Sequence, residues 1–397
     1  MKILIVCQYY YPEQFQINEI APELVKRGHQ VTVLTGLPNY PTGIVPPEYR
    51  RGQKRDEVID GVRVIRCFEV GRKQGKLNLA LNYASFSVSG TLAARSLKEK
   101  YDVVLCYQLS PVTMAYPAIV YAKKNKCPSI LYCLDIWPES AQAHVTNDKR
   151  MLYRLISRMS ASIYKQFDRI LVTSAPFIDY MHNVNGVELA RLDYLPQHAD
   201  ASYLEMDLSS EDNGIVDFMY AGNLGHGQVI ENIIQAAAEL QDLNNFQVHI
   251  VGDGTRAPDL KQLAQTLSID DKVIFHGHRS REEMPEIYRK ADALLLTLRG
   301  NNYVGNTLPG KLQVYMTTGK PVLGAINGAA HEVITKSGCG KCVPAGDYKG
   351  LSKLMREYIE TPGSFKDCGR KGREYFEDNF TMDKYMNGLE HALSDLI

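Results

Sequence analysis

No stretch of the 397 residues approaches the roughly 18 uninterrupted apolar residues of a membrane-crossing helix, and the opening run Ile3–Cys7 is far too short. Charge of one sign is not in excess either. Lys+Arg and Asp+Glu number 45 each, so nothing global points to nucleic acid, and any charged partner must be met locally. A disulfide framework is also missing. The eight cysteines fall mostly inside apolar runs (Cys7, Cys67, Cys106, Cys127, Cys133), where a thiol acts as a small hydrophobe. With no secretory signal, that usage leads us to expect a reduced, cytoplasmic setting. Hydrophobic residues at 45% and charged residues at 23% exclude a collagenous, low-complexity or disordered chain. At about 150 residues per domain, the length suggests two to three domains.

What is present is an alternation of short apolar runs with helical patterns, which predicts parallel α/β architecture. In the first half, strands are expected at Lys2–Cys7, Gln30–Thr35, Val62–Phe68, Asp102–Gln108, Ser129–Asp135 and Arg169–Ser174. Helices are expected between them near Glu13–Arg27, Leu77–Lys98, Val112–Lys124, Lys149–Gln166 and Ala175–Asn183. The second half restarts the pattern, with strands at Asp217–Ala221, Gln247–Val251, Val273–His278, Ala293–Leu298, Pro321–Ile326 and Lys341–Pro344. Its clearest helix is Gln228–Leu243, whose apolar stripe recurs at helical spacing. The polar stretch Leu195–Asn213 reads as the linker, and Phe376–Ile397 as a last helix that docks back on the first domain. The domains are thus expected at 1–197 and 198–375, two doubly wound Rossmann-like domains facing across a cleft, where sheets of this kind bind ligands.

The opening unit invites a dinucleotide reading that its residues refuse. After Cys7 comes Gln8-Tyr9-Tyr10-Tyr11-Pro12, with no glycine to admit a pyrophosphate. The second strand ends in Thr35-Gly36, where an acid should hold the ribose.

Other motifs do fall in a familiar order. They run Gly28-His29-Gln30-Val31-Thr32-Val33-Leu34-Thr35, Tyr220-Ala221-Gly222-Asn223-Leu224-Gly225 and Ile250-Val251-Gly252-Asp253-Gly254. Tyr288-x-x-Ala291-Asp292-Ala293, Leu308-Pro309-Gly310-Lys311 and Tyr315-Met316-x-x-Gly319-Lys320-Pro321-Val322 follow. In this order the chain resembles the retaining glycosyltransferases of family 4, two-domain enzymes of the GT-B architecture. The Leu-Pro-Gly-Lys stretch and Leu134-Asp135-Ile136-Trp137-Pro138-Glu139-Ser140 look like the branch acting in capsule and O-antigen assembly, including fucosamine-type transferases. The resemblance implies a nucleotide-sugar donor in the second domain, UDP-linked and carrying an N-acetylated amino sugar. It also implies a glycan or lipid-linked acceptor on the first domain, a surface at the inner face of the membrane, and neither metal nor cofactor. Where the family carries a pair of glutamates this chain reads Asn306 and Val314, and where many members carry Arg and Lys it reads Asn223 and Gln228.

A diphosphate leaving group needs positive potential, which backbone amides at helix N-termini supply without metal. Two turns suit this: Gly222–Gly227, and Thr307–Lys311 with Leu308, Pro309 as a helix start, Gly310 for close approach and Lys311 as a point charge. The competing view is tight turns and a solvated lysine. Arg299 is a second candidate cation, and His276 is expected near the base. Retaining transfer would then draw on Lys311, with Asp135 orienting a sugar or acceptor hydroxyl and Glu332 near the donor hydroxyls. Asp135 could equally cap a helix, and Glu332 could be an exposed helix residue. Tyr11, Asn39, Tyr40 and Glu139 follow first-domain strands and are acceptor-side candidates. Cys339-Gly-Lys-Cys342 lacks further ligands and reads as a turn.

On the helix Lys149–Gln166, Arg150, Arg154, Arg158 and Lys165 fall within roughly 80° of one another, opposite Leu152, Leu155, Ile156, Met159 and Ile163. That stripe suits an anionic membrane surface; a solvated face is the plain alternative. Leu77–Lys98, preceded by Arg72, Lys73 and Lys76, is a second possible contact. Two rival activities stay open: a UDP-sugar 2-epimerase of the same fold, and a non-catalytic nucleotide-sugar-binding member.

Overall fold

The structure, a computed structural model, describes residues 1–140, 150–211, 213–300 and 307–397. The chain divides into two compact units, Met1–Leu195 together with Met386–Ile397, and Pro196–Tyr385.

The first unit is built on an eight-stranded sheet in the order β3-β4-β2-β1-β5-β6-β7-β8. Its strands are β1 (Lys2–Val6), β2 (Gln30–Thr35), β3 (Asp56–Ile59), β4 (Val62–Arg66), β5 (Val103–Gln108), β6 (Ser129–Cys133), β7 (Arg169–Val172) and β8 (Leu192–Tyr194). Every pairing is parallel except β3–β4. Helices α1 (Ile17–Lys26), α2 (Lys76–Ser96), α3 (Tyr116–Asn125), α4 (Arg150–Tyr164) and α5 (Pro176–Asn183) cover it. β1, β5 and β6 are buried almost throughout, as continuous apolar strands between helical layers should be.

The second unit carries a wholly parallel six-stranded sheet in the order β11-β10-β9-β12-β13-β14. These are β9 (Val216–Ala221), β10 (Phe246–Val251), β11 (Val273–Gly277), β12 (Ala293–Thr297), β13 (Val322–Ala325) and β14 (Gly340–Val343). Its helices are α6 (Glu231–Ala238), α7 (Ala257–Thr266), α8 (Met284–Lys290), α9 (Gly310–Thr317), α10 (Gly328–Ser337), α11 (Tyr348–Glu360) and α12 (Cys368–Asn379). The final helix, α13 (Met382–Ser394), has most of its length in the first unit. There Arg27 donates to Asn387 at 2.7 Å and pairs with Glu390 at 3.0 Å, and Glu390 also meets His29 at 2.7 Å.

Four expectations need correction. β3 and β8 escape the pattern because they are three or four residues long. The β3–β4 hairpin is closed by Asp60-Gly61, both at positive φ (49° and 80°), the backbone that an Asp-Gly turn favours. The helix expected over Gln228–Leu243 shrinks to α6, which starts late because Val229 takes φ +49°, a strained value for a β-branched residue, and ends at Ala238. Phe376–Ile397 is two helices rather than one, parted at Phe380 and Thr381. Finally, Leu195–Asn213 is no free linker: Tyr203 and Leu208 are buried in the second unit's core. Among the described residues, no helix is long and apolar enough to cross a membrane.

Candidate active site

In each sheet the chain starts near the middle, builds one side, then crosses to build the other. Ligands bind outside the carboxyl ends of strands at such a switch point. In the second unit the switch lies between β9 and β12.

The turn after β9 is made of interlocking glycines. Gly222 has φ +145° and Gly252 has φ +132°. A Cβ on Gly252 would stand 1.9 Å from the Gly222 carbonyl oxygen, and one on Gly222 would stand 2.5 Å from the Lys311 Nζ. Only glycine fits at both. Tyr220 closes the turn by donating its hydroxyl to the Asn223 carbonyl at 2.9 Å. The turn is also tied to β12. Thr297 donates to the Gln228 carbonyl at 2.6 Å, and the Arg299 amide donates to the Gly227 carbonyl at 2.9 Å.

Lys311 occupies the second position of α9. Pro309 is its N-cap residue, no described side chain caps the helix, and Leu308 packs on the core behind it. The Lys311 Nζ lies 3.5 Å from the centroid of the Tyr220 ring. No carboxylate among the described residues answers it, and burial pulls its pKa down to about 7. The glycine turn, Gln228, Arg299, Leu308, Pro309, Gly310 and Lys311 are thus gathered around the ends of β9 and β12. The Asn223 and Arg299 side chains are exposed there. Asn306 lies outside the described residues.

Two expected donor-side residues lie elsewhere. His276 is on the edge strand β11, where its Nε2 meets the His249 Nδ1 at 2.8 Å, and His249 in turn meets Asp217 at 2.8 Å. Burial and the neighbouring His249 lower its pKa. Glu332 projects from the exposed side of α10, 3.8 Å from Lys336, and so corrects its assignment to the donor hydroxyls. The Cys339 and Cys342 thiols are pushed up by burial, Cys339 to about 12.

In the first unit the switch lies between β1 and β5. Asp135, just past β6, accepts a hydrogen bond from the Ser110 hydroxyl at 2.7 Å, and burial raises its pKa. Ser110 in turn accepts from the Trp137 indole at 2.9 Å. Tyr40 and Tyr11 are exposed, and the Tyr40 ring packs on Tyr9 and Phe15.

Two acceptor-side candidates are corrected. Asn39 is buried, and its side chain bridges the Leu37 carbonyl (2.8 Å) and the Arg72 amide (2.9 Å), which leaves it building the loop. Glu139 accepts hydrogen bonds from the Tyr153 and Tyr180 hydroxyls, which fasten it to α4 and α5.

Sequence reasoning missed a buried acid layer beneath this surface. Glu69 accepts from Gln8 at 2.8 Å and from Asn82 at 2.6 Å, and burial pushes it up to about 8. Glu13 accepts from the Asn39 amide at 2.7 Å and the Tyr40 amide at 2.5 Å, and burial raises it to about 7. The signal was Asn82, a polar residue on the helix face that otherwise buries Phe86, Gly90 and Ala94.

On α4 the Arg154 and Arg158 side chains are exposed, as is that of Lys165 just past its end; that of Arg150 lies outside the described residues. Leu152 and Leu155 are exposed as well, so only the second half of the helix, at Ser160, Ile163 and Tyr164, meets the core.

Known proteins carry the same two units. Residues 14–198 match the glycosyl transferase 4-like domain and residues 209–375 match glycosyl transferases group 1. The chain is a glycosyltransferase with a 4-like domain followed by a group 1 domain. It is 25% identical to the putative colanic acid biosynthesis glycosyl transferase WcaI of Escherichia coli, with all of both chains covered. It is 24% identical to the probable glycosyltransferase WbjE of Pseudomonas aeruginosa, covering 83% of this chain and 85% of the relative. Among solved structures, Anabaena HepE in complex with UDP superposes with a TM-score of 0.72 at 15% identity over all of both chains. The fold of this glycosyltransferase is accordingly GT-B.

Proposed function

We propose that this glycosyltransferase moves a sugar, of the N-acetylated amino sugar class, from a UDP-linked donor to the growing glycan of a surface polysaccharide, with retention. The reading is carried by Lys311, a lysine held over an aromatic ring at an uncapped helix N-terminus with no carboxylate partner among the described residues. A donor diphosphate brought to the β9/β12 switch point would supply the missing anion. HepE, of the same fold, binds UDP, and WcaI is named for colanic acid biosynthesis; both support the choice of donor and product class.

In the reaction the bond from the sugar C1 to the β-phosphate oxygen breaks, and a bond from C1 to the acceptor oxygen forms. The acceptor proton passes to the departing phosphate oxygen on the same face, so UDP leaves carrying it. Lys311 and the free amides of α9 stabilise the negative charge that develops, the largest service such a site can give. With that charge answered by protein groups, we propose that no metal is needed. Asp135, whose raised pKa reflects burial, holds an acceptor hydroxyl. Incubation with UDP-sugars and a glycan acceptor tests the reading. Transfer supports it, isomerisation of the donor without acceptor would indicate an epimerase, and binding without turnover would indicate a non-catalytic member.

We also place the first unit at an anionic membrane surface. The exposed positions Leu77, Leu81, Val88 and Leu92 of α2 fall within about 60° of one another, and basic residues stand at both ends (Lys73 and Lys76, Arg95 and Lys98). The basic stripe of α4 adds charge to the same unit.

A further inference from the structure

Five consecutive parallel strands of the first unit, β4, β2, β1, β5 and β6, send their following loops to one edge of the sheet. Tyr9 follows β1, Tyr40 follows β2, Arg72 follows β4, Ser110 follows β5, and Asp135 and Trp137 follow β6. Tyr83 reaches the same place from α2. These side chains are in contact along a line. Tyr9 packs on Tyr40 at 5.9 Å between centroids, and Tyr83 meets Trp137 edge-on at 6.4 Å. The Arg72 guanidinium stands between them, 5.7 Å from the centroids of both Tyr40 and Tyr83.

The backbone holds Arg72 in this position. A Cβ on Gly43 would stand 2.4 Å from the Arg72 carbonyl oxygen, and one on Gly71 would stand 2.3 Å from the Gly43 carbonyl oxygen. The loops after β2 and β4 therefore interlock chain against chain. Among the described residues no carboxylate pairs with the Arg72 guanidinium, whose side-chain partners are the two rings and the Tyr9 hydroxyl. The acids below do not answer it, since Glu69 spends one oxygen on Gln8 and Asn82, and burial favours its neutral form. A permanently charged, planar donor set is thus left between aromatic faces at a sheet's switch point, where the rings suit a sugar and the guanidinium suits a bidentate anion.

We propose that Arg72, framed by Tyr40, Tyr83 and Trp137, binds an anionic group of the acceptor, so that the acceptor is a sugar bearing a carboxylate or a phosphate near the accepting hydroxyl. This rests on the transferase reading above and names the chemical class of its acceptor. Two sources share the chemistry, a uronic acid and a lipid diphosphate.

Trp137 is the chain's single tryptophan, so its fluorescence reports on this surface in the full-length protein. The experiment titrates methyl glucuronide, geranyl diphosphate and neutral methyl glucoside into wild type, Arg72→Met and Arg72→Lys. UDP binding is followed separately by thermal shift. The expected result is that one anionic probe binds at least about tenfold more tightly than the neutral glycoside, the worth of one charge-assisted contact. The identity of that probe names the source. Arg72→Met should erase the preference, Arg72→Lys should keep part of it, and neither should change the UDP shift. Equal binding of charged and neutral probes, a preference that survives Arg72→Met, or no titration by any probe would overturn the proposal. So would loss of the UDP shift in Arg72→Met, which would make the anion the donor's own. A wild type that fails to bind UDP would instead count against the transferase reading and leave the Arg72 result standing.

Discussion

The ammonium of Lys311 sits 3.5 Å from the centre of the Tyr220 ring, pressed against a glycine that has no room for a Cβ. The contact joins the second residue of α9 to the end of β9, and so places a lysine at the one point where two halves of a parallel sheet part. Cation–π attraction offsets part of the cost of burying the charge, but burial still pulls the lysine to about 7.

Lys311→Ala should therefore lower the transfer rate by about 10²–10³-fold, comparable to losing one preorganised stabilising group. Steady-state kinetics on a variant whose circular dichroism matches wild type would check this. Unchanged turnover would remove Lys311 from the reaction.

The same lysine predicts a pH dependence of donor binding. On the proposed reading the diphosphate binds the protonated form, and free Lys311 loses its proton around pH 7. Above that pH, UDP binding must take up a proton, so affinity should fall by up to about tenfold per pH unit. Calorimetry in buffers of different ionisation enthalpy should show net proton uptake at pH 8, and Lys311→Met should show none.

Glu69, whose pKa is raised rather than lowered, gives a test through stability. Its pKa is raised on folding from 4.5 to about 8, so the folded state holds a proton that the unfolded state has released. The stabilisation is complete below about pH 4.5 and is lost as pH rises through 8, at up to about 1.4 kcal/mol per pH unit. Glu69→Gln mimics the protonated form, and its stability by urea denaturation should decline less than that of wild type between pH 5 and 8. Parallel curves would show that Glu69 is ionised in the folded protein.

If Lys311 and the amides of α9 carry the phosphate charge as proposed, activity should persist in excess EDTA. Loss of turnover on chelation, restored by Mg²⁺ or Mn²⁺, would contradict that account.

The proposed membrane association can be divided between two helices. Replacing Arg150, Arg154, Arg158 and Lys165 with Gln keeps helix propensity, and near an anionic bilayer each lost charge removes about 1 kcal/mol of salt-sensitive binding. Leu77→Ser with Leu92→Ser should weaken binding at high salt too, since both residues are exposed and apolar. Equal sedimentation of both variants and wild type with vesicles would show two merely solvated faces.

The order of strands and helices was legible in the sequence because a strand buried on both faces must be a continuous apolar run, as at Ile3–Val6 and Ala293–Leu296. The glycine turn and the Leu-Pro-Gly-Lys stretch were legible for a similar local reason, since backbone geometry at a strand end selects the residue type. Asn39, Glu139 and Glu332 were misjudged because a polar residue after a strand carries the same local signal whether it meets ligand, protein or water. Asn39 turned inward to build a loop, Glu139 was taken up by two tyrosines, and Glu332 stayed in solvent. The clustering of Glu69, Asn82 and Arg72 could be found only in three dimensions. Their partners, and the raised pKa of Glu69, depend on groups tens of residues away, such as Gln8 and Tyr40, and sequence spacing does not record which of these a fold brings within 3 to 6 Å.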